Sequence, residues 1–328
     1  MHQIVLNQPG QFVDQPATPP SPGDGEALVR VHRVGVCGTD LHAFAGRQPF
    51  FEYPRILGHE LGVEVVHVGA NDAGIQPGDR CAVQPYVDCG TCHACRIGKG
   101  NCCENMHVLG VHSDGGMRSM MTVPVRLLAR SEKLSFDQLA LVEALSIGAH
   151  GVLRGAVNSG EDVLVVGAGP IGLATTQFAL AAGANVRVLE LNPVRREFVE
   201  QRLNIPTLAE PDGLVADVVF DVTGNKHAME ASFQHVAHGG RLVFVGFVQE
   251  NLTFDNPHFH RKEMTLLASR NSSGLFPKII EMIEQGQIDT SPWITHRFTL
   301  RETPAKFPDL PGQPDLLKAM IEVEGDDD

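Results

Sequence analysis

Residues 162–190 read DVLVVGAGPIGLATTQFALAAGANVRVLE, and this stretch decides the fold. Val163–Val166 is a short, continuous apolar run, the pattern of a strand buried on both faces of a parallel sheet. Gly167, Gly169 and Gly172 follow at G-x-G-x-x-G spacing, and Ile171–Ala182 reads as an apolar helix. A second strand is expected at Asn185–Leu189, with Glu190 at its end, 18 residues after Gly172. Three glycines alone would say little. Between a strand and a helix, with an acid ending the next strand, they form a dinucleotide-binding fingerprint. Gly167 makes the tight turn, Gly169 lets the backbone approach a pyrophosphate, and Gly172 permits close strand–helix packing. Ile171 opens the helix whose N-terminus meets the phosphate charge. Glu190 favours NAD, because a carboxylate accepts hydrogen bonds from a free ribose 2′-OH and repels the 2′-phosphate of NADP. Arg195, on the next helix, works against that preference.

Downstream the βα alternation continues. A helix over Pro193–Leu203 and a short strand near Ile205–Leu208 precede strands at Asp217–Val222, Arg241–Gly246 and Met264–Ala268, with a helix near Lys226–Val236. Too few residues separate Leu208 from Asp217 for a crossover helix, so a short loop is expected. Upstream the pattern differs. Ile4–Leu6, Ala27–Val36, Leu61–Val68 and Arg80–Gln84 read as short strands between Gly- and Pro-rich turns, hence a mainly β, barrel-like domain. Ser135–Gln138 fits a capping box, with a helix following through Leu141. After the parallel sheet, Phe276–Glu284 reads as an amphipathic helix, Ile294–Leu300 as a strand and Pro314–Glu322 as a last helix. An acidic, disordered end is expected over Glu324–Asp328.

The chain has 328 residues, enough for two domains of ordinary size. With 43% apolar and 20% charged residues it has the composition of a soluble globular protein. The net charge is −13, with no basic cluster, which argues against nucleic acid or an anionic membrane surface as a partner. No run reaches the roughly 18 apolar residues of a membrane span, and the start shows no secretory signal. Seven cysteines, five at metal-like spacings, suit a reducing compartment, the cytoplasm by default.

Cys89, Cys92, Cys95 and Cys103 follow C-x2-C-x2-C-x7-C in a Gly-rich loop, which puts four thiolates within reach of one metal centre. Spacing alone admits tetrahedral zinc or an iron–sulfur cluster. Cys102 falls outside the pattern. Earlier in the chain, Cys37 to Glu60 supplies cysteine, histidine and carboxylate side chains, the donors a catalytic zinc accepts.

Cys-Gly-Thr-Asp-Leu-His at 37–42, Gly-His-Glu at 58–60, the four-cysteine lobe and the glycine fingerprint together resemble the medium-chain zinc-dependent alcohol and polyol dehydrogenases. The match extends over nearly the whole chain. It implies an α/β protein with a GroES-like β-barrel catalytic domain, residues 1–148 and 271–328, and a Rossmann NAD-binding domain with a doubly wound parallel sheet, residues 149–270. It implies two Zn²⁺ per chain, NAD as cofactor and a homo-oligomer, dimer or tetramer. The resemblance makes Cys89, Cys92, Cys95 and Cys103 a closed structural zinc site. Cys37 and His59 become ligands of a catalytic zinc, with either Glu60 or Glu143 as the third; Glu143 opens a Glu-Ala-Leu segment similar to the family's Glu-Pro-Leu, with alanine at 144. Thr39 and His42 match a proton relay, and Asp40 the carboxylate that orients the metal histidine.

The segments LGVHSDGG at 109–116 and ASRN at 268–271 resemble sugar-acid 5-dehydrogenases acting on galactonate, gulonate or idonate. Arg270 would then face the substrate, holding a carboxylate bidentately or donating to the hydroxyls of a neutral polyol. Two other readings stand beside this one: a zinc dehydrogenase for simpler alcohols, and a non-catalytic NAD(H)-binding protein of the same fold. A zincless reductase would lack the four-cysteine lobe and the Gly-His-Glu ligands.

Overall fold

The computed structural model describes residues 1–49, 51–211 and 213–323, so the acidic end expected over 324–328 lies outside the described residues. The chain divides into two units, Met1–Glu143 with Phe276–Asp328, and Ala144–Leu275. Each division falls five residues from the boundary expected from the sequence.

The first unit opens with an antiparallel hairpin, His2–Gln8 against Gln11–Pro16. Then come β1 (Glu26–Gly35), α1 (Gly38–Phe44), β2 (Glu60–Val68), β3 (Arg80–Val83), β4 (Met120–Pro124) and β5 (Leu128–Arg130). Along β1, Val29 and Val31 are buried while Arg30 is exposed, the alternation of a half-buried antiparallel strand. The following helix, α2 (Phe136–Gly155), starts at the capping box: Ser135 N–H donates to Gln138 Oε1 at 3.0 Å, and Gln138 N–H donates to Ser135 Oγ at 3.3 Å. It does not stop near Leu141 but runs 20 residues. Alanine at 144 keeps the backbone N–H that a proline would remove.

The second unit is a parallel sheet of six strands: β6 (Asp162–Val166), β7 (Asn185–Leu189), β8 (Thr207–Leu208), β9 (Ala216–Asp221), β10 (Val236–Phe244) and β11 (Thr265–Ala268). Helix α3 (Pro170–Ala181) links β6 to β7, and α4 (Pro193–Leu203) links β7 to β8. Among the described residues no helix joins β8 to β9, as the spacing predicts. The strand order is β8-β7-β6-β9-β10-β11, so the chain reverses direction across the sheet at β6. Leu208, Leu189, Val166, Asp221, Phe244 and Ala268 lie side by side in one row, so all six strands end at one edge. In doubly wound sheets ligands bind at this edge, at the switch point. Leu164, Val166, Val219, Phe233 and Leu242 form its buried core.

The chain then returns to the first unit through α5 (Phe276–Glu284), β12 (Ile294–Thr299) and β13 (Lys318–Glu322). The helix expected over Pro314–Glu322 is not formed; its second half is strand β13. Composition favours a helix there, but β13 sits between β12 and β1 in the order β12-β13-β1-β2-β3-β5, with β4 also on β1. Backbone pairing on both sides and burial of Ala319, Met320 and Ile321 override local propensity.

Candidate metal and cofactor sites

The register of β1 on β2 assembles the first cluster. Gly35 pairs with Glu60, so Cys37, just past β1, comes beside His59, just before β2. The ligand atoms of Cys37, His59 and Glu60 lie within 4.8 Å of one another. Gly35 has to be glycine, since a Cβ there would fall 2.1 Å from Glu60 Oε2. Asp40, on α1, is buried; its Oδ2 accepts the Cys37 N–H at 2.9 Å. Its Oδ1 stands 3.7 Å from His59 Nδ1, an ion contact longer than a hydrogen bond. Burial pushes the Asp40 carboxyl up. Burial alone would pull His59 down, but Asp40, Cys37 and Glu143 outweigh it and hold the imidazole well above its ordinary value. Thr39 and His42 lie three residues apart on α1, hence on one face, half-buried and exposed respectively.

Glu143, buried on α2, stands outside the 4.8 Å group and accepts a hydrogen bond from the Tyr86 hydroxyl. Burial, reinforced by the charge of Glu60, pushes Glu143 up; burial and the charge of Glu143 push Tyr86 well up. Lys318 arrives from β13. Its Nζ donates to Glu60 Oε1 and Oε2 at 2.7 and 2.8 Å and to the Val36 carbonyl at 3.1 Å. The two side chains are 2% and 1% exposed. Burial pulls the ammonium down, but Glu60, Cys37 and Glu143 reverse the sign. Sequence reasoning missed both Tyr86 and Lys318. The signal for Lys318 was a single charge inside the apolar run LLKAMI; for Tyr86 there was none.

The donor set fits zinc. One sulfur, one imidazole and one carboxylate converge, as in sites with three protein ligands and an open fourth position. Among the described residues His59 Nδ1 and Asp40 Oδ1 are buried without hydrogen bonds, so they face one another through that ion contact.

The second cluster is the cysteine lobe. The Sγ atoms of Cys89, Cys92, Cys95 and Cys103 lie within 4.8 Å of one another. Cys92 Sγ is 3.4 Å from Cys95 Sγ and 3.9 Å from Cys103 Sγ. A zinc tetrahedron with bonds of about 2.3 Å has edges of about 3.8 Å. Backbone N–H groups point at the sulfurs, from Cys92 to Cys89 at 3.4 Å and from Cys89 and Asn105 to Cys103 at 3.3 Å. The N–H groups of Thr91 and Cys92 draw the Cys89 thiol down to about 5, while burial and the neighbouring Cys92 and Cys103 sulfurs push Cys95 up to about 12, so the proton is held unevenly across the four sulfurs. Cys102 is exposed and outside the group.

The second unit carries the glycine loop between β6 and α3. Gly167 has φ +104°, and a Cβ on Gly172 would lie 2.0 Å from the Gly167 carbonyl oxygen. At Gly169 a Cβ would meet nothing within 4 Å, which leaves room in front of the α3 N-terminus. Glu190 ties this loop to the end of β7: Oε2 accepts the Ala168 N–H and Oε1 the Asn192 N–H, both at 2.8 Å. A cavity of about 550 Å³ opens here, lined by Gly167, Gly169, Glu190, Arg195, Thr223 and His227 among others. Ile171 is not one of its walls. Arg195 presents a buried Nε without a hydrogen bond. Arg270 is exposed and follows β11, on the same edge of the sheet as Gly167.

Residues 23–133 match the alcohol dehydrogenase GroES-like domain, and residues 170–285 the zinc-binding dehydrogenase domain. The chain belongs to the zinc-binding dehydrogenases, with a GroES-like domain and a Rossmann domain. It is 42% identical to the L-galactonate-5-dehydrogenase of Escherichia coli, over 98% of each chain. Among solved structures it is similar to RspB of Escherichia coli, an alcohol dehydrogenase in complex with NADH, with TM-score 0.92 and 28% identity over 98% of this chain and 99% of that one. A zinc-binding dehydrogenase of Sinorhizobium meliloti bound to NADP gives TM-score 0.89 and 27% identity over 98% of each chain.

Proposed function

We propose that this dehydrogenase oxidises a secondary hydroxyl of a sugar acid or related polyol with NAD, using two zinc ions per chain. The convergence of Cys37, His59 and Glu60 at the start of β2 carries the reading. An ion held there would supply Lewis acidity toward an alcohol oxygen, and a nicotinamide bound at the glycine loop would supply the hydride acceptor. Cys37 and His59 hold the ion with Glu60 or Glu143, and Asp40 orients His59 from its Nδ1 side. Thr39 takes the hydroxyl proton and His42, three residues on and exposed, passes it to solvent. Cys89, Cys92, Cys95 and Cys103 hold the second zinc and fix their loop. Gly169 and the first turn of α3 at Ile171 receive the pyrophosphate beyond the tight turn at Gly167, Gly172 lets α3 pack close against that turn, and Glu190 takes the adenosine ribose with Arg195 beside it.

Similarity to an L-galactonate-5-dehydrogenase supports the sugar-acid substrate, and Arg270 supplies the cation an acid would need on a chain of net charge −13. None of the seven cysteines is joined in a disulfide, which suits the cytoplasm, and no described helix is long and apolar enough to cross a membrane. A homo-oligomer completes the reading; the outer edge of β11, with Leu266 39% exposed, supports it.

Turnover of NAD⁺ with a panel of aldonic acids, polyols and simple alcohols is the test. Sugar acids should be the best substrates, and Arg270→Ala should raise KM for the acid about ten- to a hundredfold more than for a neutral polyol, the loss of one charge-assisted pair. Equal losses on both make Arg270 structural. Preference for simple alcohols, or no turnover, overturns the assignment.

A further inference from the structure

Nothing in the chemistry just described uses Lys318, yet it is the most closely bound cation at the Cys37 cluster. Its three ammonium protons have three acceptors, Glu60 Oε1, Glu60 Oε2 and the Val36 carbonyl. Cys37 and Glu143 are close enough for their charges to act on it. A buried lysine committed to one carboxylate at this depth is costly unless the pair is complete, because either charge alone would be uncompensated.

Two situations follow from the same geometry. Without an ion, Lys318 neutralises Glu60 and spares the fold a buried, unpaired carboxylate. With a divalent ion at Cys37, His59 and a glutamate, the ammonium stands beside a second positive centre and repels it. The ion's two charges and that of Lys318 then cancel those of Cys37, Glu60 and Glu143, and the buried Asp40 behind His59 leaves the cluster one negative charge. We propose that Lys318 is the resident counter-cation of this metal site, holding Glu60 in position, stabilising the ion-free protein and loosening the grip on the ion. It is a positioning residue, not a catalytic one, and the proposal rests on the metal reading given above.

The test uses the full chain, with the ion at the Cys37 site removed by a chelator and Co²⁺ then added as a visible probe. Melting temperature is measured with and without Co²⁺, and release of Co²⁺ to a chelator is followed by its absorbance. In Lys318→Met the ion-free protein should melt lower than the wild type, the rise on adding Co²⁺ should be larger, and release should slow by about tenfold or more, equivalent to about 1.4 kcal/mol. Lys318→Arg should restore wild-type behaviour, since it keeps the charge. Where the methionine variant does not fold, Lys318→Gln gives the same reading with a polar group still able to donate to Glu60. Release that is unchanged or faster, or an unchanged Co²⁺-dependent rise, overturns the proposal and leaves Lys318 a packing residue. A wild type that takes up no Co²⁺ at this site removes the metal reading itself, which is a different result from uptake unaffected by the variant.

Discussion

Replacing Glu190 with alanine should change which nicotinamide cofactor binds, by an amount the geometry bounds. The carboxylate accepts two backbone N–H groups at 2.8 Å, one from the glycine loop and one from its own turn. Hydrogen bonds to a charged group contribute about 1.5–3 kcal/mol each. Both donors can turn to water at this half-buried edge, so the folding cost should be only about 1–2 kcal/mol. For NAD, losing the acceptor for the ribose hydroxyls should cost about 1.5–3 kcal/mol. For NADP the variant removes a repulsion. Unit charges 4 Å apart at an effective dielectric of 20 repel by about 4 kcal/mol, and salt at a half-exposed site reduces this to about 1–2 kcal/mol. The two effects add, so the ratio of Kd values for NADPH and NADH should fall roughly a hundredfold or more. Fluorescence titration with both reduced cofactors measures it. Glu190→Gln, which keeps an acceptor but loses the charge, should fall between. Should both cofactors weaken equally, Glu190 acts only by holding the loop, and the specificity argument is wrong.

Elemental analysis should find two zinc ions per chain, one lost quickly to a chelator together with activity and one retained by the four cysteines; a single ion, or iron with visible absorbance, contradicts this. Asp137 accepts from Arg33 Nε at 2.8 Å and Arg297 Nη2 at 2.6 Å. Burial pulls its carboxyl up, but these two arginines outweigh burial and hold it below the ordinary value. A depressed folded pKa contributes stability that is present above the unfolded pKa, near 4, and lost as pH falls through the folded one. Asp137→Asn should therefore cost about 1–3 kcal/mol in urea unfolding at pH 7, with the gap closing below about pH 4; a gap independent of pH refutes the assignment.

What could be read from the sequence was what is local. The glycine loop, the strand before it and the acid after it lie within 29 consecutive residues, and the physical demands of each position act on its neighbours. The four thiols were equally legible, because C-x2-C spacing brings sulfurs together in one loop. From its spacing the Cys37 cluster was legible only as a set of suitable donors, and the family resemblance supplied the grouping of Cys37 and His59; its assembly depends on the register of β1 against β2. Tyr86 and Lys318 depend on longer-range register still. Lys318 was hidden twice, since its segment reads as a helix and its partner Glu60 is 258 residues away. The choice between Glu60 and Glu143 was open for the same reason, as each is defined by the side chain that reaches it.

The position of β13 sets an order of events during synthesis. Gly35 waits for Met320, 285 residues later, before the Arg33–Gly35 end of that side of β1, beyond the stretch β4 covers, is paired. At about 5–20 residues per second, a ribosome takes roughly 15–60 s to cover that distance. The second unit, residues 144–275, is contiguous and emerges whole within the interval. The first unit must meanwhile persist with an open strand edge and with Glu60 buried beside no cation. A nascent chain stalled before residue 318 should thus be a target for chaperones, and a truncation there should yield a folded dinucleotide-binding half joined to an unfinished metal-binding one.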